Sequence, residues 1–93
     1  MVRAIIQYES EPDPDRYRRH VDEFASKVSS STFRHGKVFG SPFGEAKFRY
    51  YAEFEWPDMD SFKEAASSDE FAASGRDAMS MGIPFTVHFA SVE

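Results

Sequence analysis

The chain has 93 residues and a mass of 10.6 kDa, and 16 acidic against 11 basic residues give it a formal net charge of −5. This length allows one compact domain, the absence of cysteine excludes disulfides and thiolate metal sites, and the acidic balance argues against nucleic acid as a partner. Ten phenylalanines and no leucine predict a core of aromatic, β-branched and small side chains.

The N-terminal third predicts a strand and then a helix. Residues 2–9 are dense in Val, Ile and Tyr, which favours a strand. Asp13 is suited to cap the helix and Pro14 to open it. One apolar stripe at helical spacing is formed by Tyr17, Val21, Phe24 and Val28. Oppositely charged residues four apart, such as Arg18 and Asp22, predict a solvated helix face instead of a phosphate-binding patch.

The middle of the chain predicts an antiparallel hairpin. Residues 32–40 alternate, and one face of this strand carries Phe33, His35, Lys37 and Phe39. A Gly- and Pro-containing turn follows at 40–44. Residues 46–56 form the clearest strand, whose apolar face carries Phe48, Tyr50, Ala52, Phe54 and Trp56. The opposite face is mixed and charged.

The last third predicts two helices and a final strand. A short helix begins near residue 58, and a capping box at 67–70 opens a second one. The apolar side of the second helix is predicted to carry Phe71, Ala72, Gly75, Ala78 and Met79. Gly82 is suited to end it. A closing strand spans 85–92, with Phe85, Val87 and Phe89 on one face.

The order β-α-β-β-α-α-β predicts a ferredoxin-like α+β fold with a four-stranded antiparallel sheet, in a single domain covering 1–93. Crossover connections are right-handed, so both helical regions should cover the same face of the sheet.

With these elements in place, the sequence resembles the EthD-like family of the dimeric α+β barrel superfamily over nearly the whole chain. The resemblance rests on the opening strand, the D-x-x-x-Y helix start at 13–17, the strand ending at 50–56, the helix at 58–66 and the segment 68–73. It implies a homodimer whose subunits pack sheet to sheet, a small pocket between helices and sheet, and a role in small-molecule catabolism.

One part of the family pattern differs in this chain. EthD-like proteins commonly carry a histidine in the first helix and a proline two residues later. The register places Val21 and Glu23 at those positions, and His20 one residue before the first of them. One residue turns a side chain by about 100° around a helix.

Three residues are the candidate catalytic groups: His20, His35 and Tyr50. His20 borders the apolar stripe, where it would act as a general acid or base, or be held by a nearby acid such as Asp15 or Glu23. His35 should face the helices as a pocket residue or as a core histidine satisfied by a hydroxyl. Tyr50 is the best source of that hydroxyl, or of a hydrogen bond to substrate.

No cofactor or metal is expected. The three histidines are scattered and lack the H-x-x-x-H spacing of a zinc site. There is no G-x-S-x-G elbow, and the turn at 40–44 lacks the spacing of a phosphate loop.

Two functions remain open. The leading hypothesis is a cytoplasmic homodimer that binds a hydrophobic or aromatic metabolite and catalyses a cofactor-independent step: proton transfer, cyclisation or oxygenation. The alternative is a non-catalytic module that carries or shields a metabolite for a partner oxygenase system. The expected partners are a second copy of the chain and a small molecule, with no nucleic acid and no membrane; no transmembrane segment or signal peptide is expected.

Overall fold

A computed structural model describes residues 1–30 and 32–93 of the chain. Four strands form one antiparallel sheet: β1 (Val2–Tyr8), β2 (Thr32–Lys37), β3 (Tyr50–Trp56) and β4 (Phe85–Ser91). Their order across the sheet is β2-β3-β1-β4, so β1 lies inside the sheet and pairs with both β3 and β4. The predicted element order, the hairpin of β2 and β3, and the α+β class are confirmed.

Three α-helices cover one face of this sheet: α1 (Pro14–Glu23), α2 (Met59–Ala66) and α3 (Asp69–Ser80). Each begins at a side-chain cap, because the first backbone N–H groups of a helix have no partner within it. The Asp13 carboxylate accepts from the Arg16 amide of α1, and Asp58 accepts from the Ser61 amide of α2. The Gly82 residue after α3 has φ +74°, as predicted for a helix-ending glycine.

The core lies between the helices and the even-numbered positions of β1 and β3. At this face the innermost side chains are fully buried, as strand alternation requires; they include Ala4, Tyr8, Ala52, Phe54 and Trp56. Small alanines sit beneath the helices while large rings fill the space between them. The aromatic composition of the chain therefore becomes one continuous layer of packed rings.

The hairpin strands are shorter than predicted. β2 ends at Lys37 and β3 begins only at Tyr50, so Phe48 lies in the connection. Phe39 and Phe43 are almost fully exposed, which corrects the assignment of Phe39 to the core face. The connection contains Pro42, which has no N–H for a ladder, and Gly44, whose φ is +95°.

Two helical details also differ from the prediction. α1 ends at Glu23, and the chain continues to Val28 through a short 3₁₀ turn, Ala25–Lys27. In α3 the capping residue is Ser68 instead of Ser67, and its hydroxyl accepts from the Phe71 amide. The buried side of the helix also differs from the predicted one, because Ser74 is buried and Met79, predicted to be apolar core, is 69% exposed.

The other face of the sheet carries charged side chains, and no helix formed by the described residues covers it. Two arginines and two glutamates interleave there, with Arg3 Nε 3.1 Å from Glu55 and Arg34 Nε 3.0 Å from Glu53. Arg49 precedes β3 and is paired with Glu45. No helix in the described ranges is long and apolar enough to cross a membrane.

Candidate functional site

A cleft of about 500 Å³ lies between α1 and the end of the sheet at which β2 ends and β3 begins. Apolar and aromatic side chains form its walls, and charged side chains form its rim. Lys37 of β2 reaches Glu11 of the β1–α1 connection, with Nζ and Oε1 3.1 Å apart. The residues that line the cleft are Glu11, Pro12, Pro14, Tyr17, Arg18, Val21, Asp22, His35, Gly36, Lys37 and Tyr50.

His35 and Tyr50 form a hydrogen-bonded pair in this cleft. The antiparallel register of β2 and β3 places them on the same face of the sheet, and the Tyr50 hydroxyl lies 2.6 Å from His35 Nδ1. Partial burial lowers the pKa of His35, and the nearby His20 lowers it further. Burial, with a smaller contribution from Glu11, raises the pKa of Tyr50. At neutral pH both members of the pair are therefore uncharged.

Tyr17 of α1 is the centre of an aromatic cluster beside the cleft. Its ring centroid lies 5.1 Å from those of His35 and Tyr50, 5.2 Å from that of His20 and 5.8 Å from that of Tyr8. Tyr17 is only 2% exposed, yet it contributes to the wall of the cleft. It separates His20 on one side from the His35–Tyr50 pair on the other.

His20 is held by an acid that comes from α3. Asp77 Oδ2 lies 2.8 Å from His20 Nδ1, and the same carboxylate accepts two hydrogen bonds from the Arg16 guanidinium at 2.8 and 3.1 Å. Burial alone would raise the pKa of Asp77, but the hydrogen bonds from Arg16 and His20 lower it below its ordinary value. Asp77 is therefore ionised and can only accept, so Nδ1 of His20 must carry a proton.

A second, smaller cavity of about 80 Å³ lies between α3 and the sheet. His20 and Tyr17 belong to its wall, and Ser74 and Gly75 of α3 line it as well. The other lining residues are apolar or aromatic: Ile6, Tyr8, Phe33, Phe54, Phe71, Ala78, Phe85 and Val87. Gly75, predicted to lie on the apolar side of this helix, lines the cavity, whereas Met79, predicted to lie on the same side, is exposed.

The three predicted site residues are divided between these spaces: His35 and Tyr50 line the cleft, and His20 lines the smaller cavity. Sequence reasoning missed Asp77, Arg16 and the position of Tyr17. The helical spacing assigns Tyr17 to the core stripe, which is correct for its burial but does not predict that it borders cavities. Asp77 carried no local signal, because its partners lie 57 and 61 residues earlier in the chain. The sequence predicts that an acid of α1 itself, Asp15 or Glu23, would hold His20 instead.

The described residues, 1–30 and 32–93, contain no group of three or more His, Cys, Asp or Glu side chains that could hold a metal ion. The polar side chains that line the cleft can donate and accept hydrogen bonds, and His35 and Tyr50 can also exchange protons.

Comparison with known proteins gives the family context. No description of a known protein family matches the chain, and no curated protein matches it. A solved structure of an ethyl tert-butyl ether D (EthD) family protein from Bacillus halodurans C-125 is 28% identical, covers 100% of this chain and 99% of its own length, and superposes with a TM-score of 0.79. The chain is therefore similar to an EthD family protein over its whole length.

More distant structures share the fold of this EthD-like chain. A dimeric ferredoxin-like protein of unknown function from Jannaschia sp. CCS1 is 16% identical, with 98% of both chains covered and a TM-score of 0.72. SnoaB, a cofactor-independent oxygenase from Streptomyces nogalater, is 14% identical, with 99% of this chain and 92% of its own covered and a TM-score of 0.63. At these identities the likeness supports the ferredoxin-like architecture alone.

Proposed function

We propose that this EthD-like chain binds a hydrophobic or aromatic small molecule in the 500 Å³ cleft and catalyses a cofactor-independent proton transfer there. The observation that carries the proposal is the uncharged His35–Tyr50 pair in the wall of a cleft whose volume suits a small organic ligand. The aromatic ring of Tyr50 supplies apolar contact area, while the rim charges remain in water.

The hydrogen bond between His35 and Tyr50 can be made in two ways. If the Tyr50 hydroxyl donates to Nδ1, Nε2 of His35 carries a proton and acts as a donor. If Nδ1–H donates to the Tyr50 oxygen, Nε2 is an acceptor that can remove a proton from the ligand. A pair that exchanges between these states can accept and return one proton without any cofactor.

His20 has a separate part in the proposal. Its Nδ1 proton is fixed by Asp77, so when the ring is neutral its Nε2 is an acceptor. His20 is proposed as the basic group of the smaller cavity, behind the Tyr17 ring. It would act on a ligand atom that reaches past that ring, and not on one confined to the cleft.

The chain is also proposed to work as a homodimer through its helix-free sheet face. Arg3, Arg34, Glu53 and Glu55 alternate in sign there and are self-complementary under a two-fold axis. A solved relative is described as dimeric. Light scattering at micromolar concentration should give about twice the 10.6 kDa mass of the chain, and a 10.6 kDa species would contradict this part of the proposal.

A non-catalytic carrier is the second candidate. It is favoured by the fact that four polar groups of the cleft already have partners within the protein: His35 with Tyr50, and Lys37 with Glu11. A site of this kind can hold a ligand mainly through its apolar walls without performing chemistry on it.

Binding can be tested by two-dimensional NMR titration with phenol, indole and acetophenone at pH 7. We expect shift changes at His35 and at the Gly36 amide, and weaker binding in His35→Gln. His88→Gln is the matched control, because His88 is an exposed histidine on the opposite face of the sheet. Shift changes confined to that opposite face would contradict the assignment of the cleft.

A catalyst is distinguished from a carrier by the rate at which deuterium from D₂O enters the methyl group of acetophenone. This rate is measured by mass spectrometry. A proton-transfer catalyst accelerates this exchange, and His35→Gln should abolish the acceleration while His88→Gln preserves it. A carrier binds the ketone in the NMR titration and leaves its exchange rate at that of the buffer.

A further inference from the structure

The Tyr17 hydroxyl is a buried polar group without a hydrogen-bond partner among the described residues. The side chain is 2% exposed, so bulk water does not replace the missing partner. The Tyr8 hydroxyl makes a weak contact with it that helps to raise the pKa of Tyr17, but this contact falls short of the distance and angle of a hydrogen bond. Buried polar groups are paired in the great majority of cases, so an orphan of this kind requires a physical explanation.

The surroundings of Tyr17 keep its hydroxyl protonated. Burial is the largest cause that raises its pKa far above the ordinary value, and the neighbouring Tyr8 and Tyr50 raise it further. No carboxylate lies within hydrogen-bond distance of the hydroxyl in the described chain. The group is therefore a neutral hydrogen-bond donor in an apolar, aromatic environment, where a hydrogen bond to a suitable acceptor is stronger than in water.

Tyr17 also occupies a special position, because it lines both the 500 Å³ cleft and the 80 Å³ cavity. A ligand whose ring lies in the cleft against Tyr50 and His35 would bring a polar substituent to this shared wall. The neutral, apolar setting favours an uncharged acceptor, and the basic nitrogen of His35 needs an acidic hydrogen on the same ligand. A ketone with hydrogen on the carbon beside its carbonyl meets both conditions.

We propose that the Tyr17 hydroxyl donates a hydrogen bond to the carbonyl oxygen of an aryl ketone bound in the cleft, which makes it a substrate-binding residue of this site. The assignment rests on the proposed function and names its substrate class. In the reaction, His35 Nε2 accepts the proton from the α-carbon, and the electron pair of the broken C–H bond forms the new C=C bond. The carbonyl π electrons move to oxygen, where the Tyr17 hydrogen bond stabilises the enolate, and return of the proton completes the exchange.

The test compares two ligands and two variants by NMR titration. Acetophenone and ethylbenzene have similar size and differ in the carbonyl oxygen. The wild-type chain should bind acetophenone about tenfold more tightly than ethylbenzene, and Tyr17→Phe should bind the two equally. Tyr51→Phe, a tyrosine on the opposite face of the sheet, should keep the wild-type preference.

A stability measurement distinguishes ligand binding by the Tyr17 hydroxyl from a purely structural role of that hydroxyl. Tyr17→Phe removes an unpaired buried group and keeps the ring, so its urea midpoint should equal or exceed that of the wild type. A clearly lower midpoint would show that the hydroxyl has a structural partner, and it would overturn the proposal. So would a ketone preference that survives in Tyr17→Phe.

The ligand pair also separates this inference from the proposed function. If wild type binds both ligands equally tightly, the cleft still binds aromatic molecules and only the Tyr17 assignment is overturned. If wild type binds neither ligand, both the cleft function and the Tyr17 assignment are wrong.

Discussion

The two ends of the layer between helices and sheet are built differently. At one end Trp56 is fully buried among Phe54, Phe62 and Phe71, and its indole N–H donates to the Ser29 carbonyl at 2.6 Å. At the other end Tyr17 lies between two cavities with its hydroxyl unpaired. We call these the Trp56 end and the Tyr17 end.

The difference indicates a division of labour within a small domain. Apolar contact and a satisfied polar atom give the Trp56 end its stability. The Tyr17 end contains both histidines of the candidate site, the hydroxyls of Tyr8, Tyr17 and Tyr50, and open volume. Of these features, the unpaired Tyr17 hydroxyl and the open volume reduce stability unless something binds. Truncation of Trp56 should therefore lower stability, whereas removal of the Tyr17 hydroxyl should not.

The largest effect is expected from Trp56→Ala. It removes a fully buried ring and leaves the Ser29 carbonyl without its donor, so we expect a loss of about 3–5 kcal/mol in the free energy of unfolding. Urea denaturation followed by far-UV circular dichroism measures this loss. Phe39→Ala is the control, since Phe39 is fully exposed and its truncation should change stability by less than about 0.5 kcal/mol. A loss under 1 kcal/mol for Trp56→Ala would remove the contrast between the ends.

Asp77→Ala should have the next largest effect. It leaves the buried His20 ring and the Arg16 guanidinium without their shared acceptor, at a cost of about 2–3 kcal/mol. Asp15→Ala is matched to it, because Asp15 pairs with Arg18 at the surface and should contribute about 0–0.5 kcal/mol.

The contribution of Asp77 also depends on pH in a definite direction. Its pKa is lower in the folded chain than the ordinary value of 3.8, so the stabilisation is complete above pH 3.8 and is lost as the pH falls through the lowered value. The difference in urea midpoint between wild type and Asp77→Ala should therefore narrow in acid. A difference that is constant from pH 7 down to pH 2 would show that the charge of Asp77 contributes nothing.

The Trp56 end was largely predictable from the sequence, and the Tyr17 end was not. Strict alternation along β3 assigns Ala52, Phe54 and Trp56 to one face, since strand geometry leaves no other arrangement. The same rule assigns His35 and Tyr50 to that face and brings them into contact once β2 and β3 pair. Local periodicity therefore predicts the His35–Tyr50 half of the candidate site.

The remaining half depends on contacts between distant elements. Whether His20 meets Asp77 is decided by how α3 packs against α1, and the sequence pattern within either helix does not determine that packing. The burial of Ser74 and the exposure of Met79 show that the inward side of α3 differs from the predicted apolar side. Cavities likewise arise from imperfect packing between elements, which periodicity does not describe.

Gly75→Ala is expected to give a smaller effect of the opposite sign. A Cβ atom added at Gly75 meets no atom within 4 Å, and glycine inside a helix costs about 0.5–1 kcal/mol relative to alanine. The variant should therefore raise the free energy of unfolding by about that amount while it narrows the 80 Å³ cavity. In Gly82→Ala, by contrast, a residue with a side chain must adopt the backbone φ of +74°, and the resulting strain should lower stability. Equal effects from the two substitutions would contradict this account of α3.

The subtlest effect concerns the protonation of His35. Its imidazole ¹H NMR signals, followed from pH 4 to pH 8, should give a pKa below the ordinary value of 6.5, because partial burial and the nearby His20 both oppose protonation. The folded chain then binds this proton less readily than the unfolded chain, so the contribution of His35 to stability is complete above pH 6.5 and is lost as the pH falls through the lowered pKa. His20→Gln should raise the pKa of His35, whereas Arg19→Gln, at an exposed position of the same helix, should leave it unchanged. A His35 pKa that ignores His20 would mean that the Tyr17 ring insulates the cleft from the smaller cavity, and the two spaces would then act as independent sites.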